Sequence, residues 1–162
     1  IFTTTPEFVQ ASVQAAIAHP EVKILNCSLN TSHRYIRTYY ARMYEAKFLM
    51  GAIAGAMAEN GQLAYIADYP IFGTIANINA FALGAKMVNP RAQIYLEWST
   101  LKDVDLGIAM DNVIKKGVTV VSGQDMVIPE DASRYFGLYH IEKEGPRNLA
   151  MPLWHWGNFM NS

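Results

Sequence analysis

The chain has 162 residues, 51% of them hydrophobic and 17% charged, with a formal net charge of −1. That is about one domain by length, with a charged fraction below the roughly one quarter of an ordinary soluble protein, which excludes a disordered chain. Near neutrality leaves no basic field to hold a polyanion, so nucleic acid is excluded as a partner. The single cysteine, Cys27, rules out an internal disulfide.

Residues 1–4 read as the tail of a strand. Domains seldom begin inside a strand, so the chain is expected to be a portion of a longer protein, and the lack of a leader says nothing about compartment. Residues 6–19 place Phe8, Val9, Val13, Ala16 and Ile17 at helical spacing before Pro20. Residues 22–28 read as a strand in which Cys27 is a small buried hydrophobe, and 29–37 as a polar loop. Residues 38–60 then read as one long helix, stopped by Asn60-Gly61. Glycine inside a helix costs about 1 kcal/mol against alanine, so Gly51 and Gly55 require a packing reason. The charged Arg42, Glu45 and Lys47 lie just upstream, and the apolar run 48–58 is too short to span a bilayer. The pair is therefore read as tight packing on a sheet rather than as a membrane dimerisation motif, with Met50 and Met57 as core filler.

Residues 63–67 are a buried strand, 75–87 a helix stopped by Asn89-Pro90, and 93–98 a strand. Residues 103–116 form an amphipathic helix capped by Gly117, followed by a strand at 118–122. Residues 126–134 read as a loop, 135–141 as a strand, 143–148 as a polar turn and 149–154 as a last strand. Strands alternating with helices imply βαβ units, hence an α/β fold with a doubly wound parallel sheet and helices on both faces. In such sheets ligands sit beyond the carboxyl ends of the strands. The residues there include Thr5, Asp68, Phe72, Gln124, Asp125, Tyr139 and Trp154. They are rich in aromatics and amides and suit a flat, polar-edged small molecule.

No GxGxxG, GxxxxGK[ST], HExxH, CxxC or GxSxG pattern occurs, and the four histidines are scattered. No cofactor, no metal site and no catalytic constellation is expected, so the chain is not read as an enzyme. Asp68 is either a turn residue or a ligand contact, Phe72 a loop anchor or a stacking platform, and Asp125 a helix cap or a hydrogen-bond acceptor for ligand. Trp154 and Trp156 share one strand face and either line a cleft or fill a core.

The helix residues Tyr39, Tyr40, Arg42, Tyr44-Glu45-Ala46, Phe48-Leu49, Gly51 and Ala54-Gly55 make one signature. Pro70-Ile71, the stretch from Ile78 to Pro90 (INAFALGAKMVNP) and Trp154, Trp156 and Gly157 extend it over almost the whole chain. Together they resemble the basic membrane protein (BMP) family of ABC-transporter substrate-binding proteins, which includes the purine nucleoside receptors. The resemblance implies a periplasmic-binding-protein type I-like fold of two lobes, with residues 1–37 as part of the first and 38–162 as most of the second. It implies an extracytoplasmic, lipid-anchored solute-binding lipoprotein that closes by hinge motion on a purine or nucleoside-like molecule and serves an ABC permease. Thr5, Phe72, Gln124, Asp125, Tyr139 and Trp154 would then be the ligand contacts, with Phe72 stacking on the ring. Two departures stand out: residues 126–135 replace a full helix of the family pattern, and the stretch Gly137 to Ile141 lacks the two acids that contact ribose in nucleoside receptors. Without the acids a purine base, or a different small polar ligand, fits the remaining aromatics at least as well as a nucleoside, and both departures favour a second reading, a ligand-sensing regulatory domain that no longer serves transport. A partial lobe would expose apolar surface, so self-association is also expected.

Overall fold

A computed structural model describes residues 1–4, 6–27, 34–68, 70, 72–99, 106–123 and 137–152. In chain order the elements are β1 (Phe2–Thr3), a short 3-10 turn (Pro6–Phe8), α1 (Val9–Ala18), β2 (Ile24–Asn26), β3 (Ile36–Thr38), α2 (Met43–Met57) and β4 (Gln62–Ala67). Then follow α3 (Phe72–Val88), β5 (Gln93–Trp98), α4 (Leu106–Lys115), β6 (Val120–Ser122), β7 (Leu138–Glu142) and β8 (Gly145–Ala150). The strands form two sheets, one in the order β1-β2-β3 and one in the order β5-β4-β6-β7-β8.

The first sheet is parallel throughout, and α1 covers it through Ala16, Ile24 and Ile36. Here β3 takes in Ile36 and Arg37, the last residues of the expected polar loop at 29–37, of which 29–33 lie outside the described residues. Ile36 pairs with Ile24 and buries its side chain, but a three-residue strand with one buried residue carries no period to recognise. Thr3, Ser12 and Asn26 join in a polar cluster, in which the Asn26 amide donates to Thr3 Oγ1 at 2.7 Å. Cys27 is half-buried rather than buried, and its thiol donates to the Thr4 carbonyl.

The second sheet is organised by β4, which lies between β5 and β6 and is parallel to both. Side chains alternate faces along a strand. Leu63, Tyr65 and Ala67 face a core that includes Met50, Ala54, Phe81 and Ala85 from α2 and α3. Ala64 and Ile66 face the core built with Ala109, Met110 and Val113 of α4. A strand covered on both sides reads as a continuous apolar run, which is why LAYIA was recognisable.

At β6 the parallel pattern ends. Strands β7 and β8 are antiparallel to their neighbours, in place of a further parallel strand, a polar turn and a last strand beginning at 149. Only Lys143 and Glu144 separate the two strands, and a connection that short joins antiparallel strands alone, since a parallel return needs a crossover of about a dozen residues. Across the hairpin Arg147 donates to Glu142, and that bond holds the Glu142 carboxyl below its ordinary range.

The glycines of α2 pack against a helix rather than the sheet. A Cβ on Gly51 would lie 2.0 Å from the Phe81 carbonyl oxygen, and one on Gly84 would lie 2.0 Å from that of Phe48. Gly55 meets the Ala85 backbone, with 2.6 Å between an added Cβ and the Ala85 carbonyl oxygen. Glycine is therefore required on both partners of the crossing. Met50 joins the core as expected, whereas Met57 is largely exposed on the outer face.

Gly51→Ala and Gly84→Ala are each expected to lower the melting temperature although alanine favours helix by about 1 kcal/mol. Overpacking of this kind costs about 1–3 kcal/mol, and thermal denaturation followed by circular dichroism reads the net loss.

Candidate functional site

A cavity of about 320 Å³ opens where β4 and β6 end and α3 begins, lined by Tyr65, Ile66, Ala67, Asp68, Thr74, Asn77 and Gly123. This is the switch point of the second sheet. The chain leaves β4 through α3 toward β5 on one side, then crosses through α4 to β6 on the other. Such a reversal leaves a crevice outside the carboxyl ends of the strands. Its size lies near the small end of ligand pockets.

Its polar side chains come from two places. Asp68 follows β4 directly, and Thr74 and Asn77 lie three residues apart on α3, hence on one helix face. Thr74 donates to Asp68 Oδ1 at 3.2 Å, tying the first turn of α3 to the end of β4. Tyr40, just before α2, braces the same turn: its hydroxyl donates to the Gly73 carbonyl at 3.3 Å and reaches Asn77 Oδ1 at 3.5 Å. A Cβ on Gly73 would lie 2.6 Å from the Tyr40 ring, so a larger residue there would displace that ring. Beneath the cavity the Lys47 ammonium donates to Ser122 Oγ at 3.1 Å and stands 5.1 Å from the centre of the Tyr65 ring.

Of the six candidate residues, Thr5, Gln124, Asp125 and Trp154 lie outside the described residues. Phe72 is the first residue of α3 rather than part of a loop, two positions before Thr74. Tyr139 does not line this cavity. It is fully buried in the layer against α4, with its hydroxyl on Met110 Sδ at 2.9 Å. It pairs with Val121, whose side chain faces α4, and the alternation of β7 sends Tyr139 to the same side. Sequence reasoning flagged Asp68 but missed Thr74, Asn77, Tyr40 and Lys47. The spacing of Thr74 and Asn77 was a usable signal once α3 was known to begin at Phe72, three residues earlier than its apolar pattern suggested. Among the described residues no group of three His, Cys, Asp or Glu side chains is placed to hold a metal ion.

The family model described as ABC transporter substrate-binding protein, PnrA-like, matches residues 1–130, which contain every lining residue of the cavity. The chain belongs to this family. It is thus a member of a family of substrate-binding proteins, not of enzymes. It is 30% identical over 127 residues to a purine-binding protein of Brucella abortus, an overlap of 75% of this chain and 35% of that protein. It is 27% identical over 169 aligned residues to a Haloferax volcanii protein provisionally named an ABC transporter glucose-binding protein, covering 98% of this chain and 43% of that one. The chain therefore spans less than half the length of either relative.

Burial raises the Tyr40 phenol above its ordinary value of 10.0, and the nearby Tyr44 adds to the shift. A raised value means that the fold prefers the protonated phenol. The stabilisation is complete below the unfolded value and is lost as pH rises through the folded one. Melting temperatures taken from about pH 8 to about pH 11 should fall more steeply for the wild type than for Tyr40→Phe, which has no proton to lose there.

Proposed function

We propose that the chain is the ligand-binding portion of an ABC-transporter solute-binding lipoprotein that takes up a purine or nucleoside-like molecule. The observation that carries this reading is the polar cavity at the switch point, in a chain of the substrate-binding family with a purine-binding relative. Asp68 accepts N–H groups of the ligand, Asn77 supplies both a donor and an acceptor, and Thr74 holds Asp68 in place. Phe72, at the start of α3, stacks on the ring, and Thr5, Gln124, Asp125 and Trp154 are the further contacts that the family resemblance implies.

On this reading the first sheet belongs to one lobe and the second sheet to the other, and the ligand is captured by hinge closure between them. The protein works outside the cytoplasm, anchored by lipid, and passes its cargo to an ABC permease. Among the described residues no helix is long and apolar enough to cross a membrane. Leu49, Ile53, Leu83 and Met87 are exposed on α2 and α3 and favour self-association of the chain.

The test is a thermal-shift series with adenine, hypoxanthine, guanosine, inosine and glucose. Binding to the folded state raises the midpoint by mass action, by several degrees at ligand about a hundredfold above Kd. A shift with purines, lost in Asp68→Asn and reduced in Phe72→Ala, is the expected result. No shift with any purine would overturn the assignment, and a shift with glucose alone would transfer the site to a sugar.

A further inference from the structure

The first sheet carries a second cavity, of about 320 Å³, that the solute-binding reading does not use. Lys23, Arg34 and Arg37 line it, together with Tyr35 and apolar residues that include Ile24 and Leu25. It opens beside the beginnings of β2 and β3, at the opposite end from the carboxyl ends where ligands of such sheets sit. Leu25 and Arg37 pair across the two strands one place on from Ile24 and Ile36, which pack under α1, so they face away from that helix. Arg34 stands 5.3 Å from the centre of the Tyr35 ring, a cation–π contact beside the cavity. All three cations are exposed, and among the described residues none is paired with a carboxylate. Glu21, next to Val22 in the chain, stands 3.6 Å from His19 instead. The sequence carries the same imbalance. From Val22 to Tyr44 it has Lys23, Arg34, Arg37 and Arg42 and no acid, in a chain with 14 Asp and Glu against 13 Lys and Arg. Like charges gathered around one concave surface repel one another and attract an anion.

We propose that this cavity is a binding site for a phosphate monoester, either free in solution or as the headgroup of a lipid. Such a group carries about −1.5 to −2 charges at neutral pH and three acceptor oxygens, which suits three cations better than a single carboxylate does. The planar forks of Arg34 and Arg37 match its oxygens two at a time, and Lys23 adds a compact charge. Ile24 and Leu25 offer apolar surface to the organic group that bears the phosphate. None of these residues lines the Asp68 cavity, so the inference stands apart from the solute-binding reading.

The experiment follows the melting temperature of the full chain in glycerol phosphate, inorganic phosphate, acetate and chloride at equal ionic strength. It also measures co-sedimentation with vesicles of phosphatidylcholine alone, or with about one third phosphatidic acid or phosphatidylglycerol. The wild type is compared with Lys23→Gln, Arg34→Gln and Arg37→Gln. Both phosphates are expected to raise the wild-type midpoint saturably above acetate and chloride. Each substitution should weaken that response by about tenfold in Kd, the loss of one charge-assisted hydrogen bond. The midpoint of Arg37→Gln in chloride should stay the same or rise, because repulsion is relieved. A response to glycerol phosphate without sedimentation assigns the site to a free monoester. Sedimentation with phosphatidic acid beyond that with the diester phosphatidylglycerol, competed by glycerol phosphate and lost in Arg37→Gln, assigns it to a lipid headgroup. Equal midpoints in all four anions, with no such sedimentation, overturn the inference. So does a rise in phosphate that all three variants keep, which is the general effect of that salt on burial.

Discussion

Two helix backbones approach within glycine distance at the crossing of α2 and α3, and the rest of the second sheet is arranged around that contact. Gly51 and Gly84 each receive a carbonyl oxygen of the opposite helix where a methyl group would otherwise stand. With the helices this close, both can cover one face of the same short sheet, and Met50, Ala54, Phe81 and Ala85 reach β4 together. The position of α3 then fixes where its first turn falls, which is beside the end of β4, and so places Thr74 and Asn77 at the cavity. Packing among small residues that carry no polar side chain in this way determines the geometry of the polar ones.

Charge is distributed with the same economy. The chain has few ionisable groups for its size, and its ion pairs among the described residues are mostly at the surface: Arg42 with Glu45, Lys116 with Glu97, Arg147 with Glu142. Such pairs contribute little. Lys47 is the charged side chain that is buried among the described residues, and it stands against Tyr65, which lines the cavity. Where a protein tolerates a buried charge near a site, the site is the reasonable place to look for its use.

The strongly periodic parts of this fold could be read directly from the residues. β4 and β5 appeared as apolar or alternating runs, and α3 and α4 as helical ones, because each sets apolar side chains against a core, fully buried in β4 and partly buried in β5. The family signature in α2 and α3 was equally plain, since the close crossing restricts which residues fit. What escaped was set by single contacts. β3 depends on one buried isoleucine, and the hairpin β7–β8 on a two-residue turn inside a stretch that looked like a longer polar loop. The partner of Gly51 could not be known, because a glycine shows that something comes close and not what it is. The site was half legible for a similar reason. Strand ends can be predicted from strands, so Asp68 was found. Tyr40 and Lys47 come from a part of the chain before β4 and touch the neighbours or members of the lining rather than the cavity itself, and only the three-dimensional path brings them there.

The reversed strand at the end of the second sheet also bears on how the molecule keeps to itself. A sheet edge offers unpaired backbone donors and acceptors to any passing strand. Had the sheet continued with an apolar parallel strand, its last edge would have been an open template. Among the described strands the edge on this side is instead β8, whose sequence from Gly145 to Ala150 contains Pro146, which has no N–H to offer, followed by the charged Arg147. Among the described strands the hairpin thus ends this side of the sheet with a strand that is a poor seed for further pairing, while exposed apolar side chains such as Leu49 and Leu83 stand on the helices.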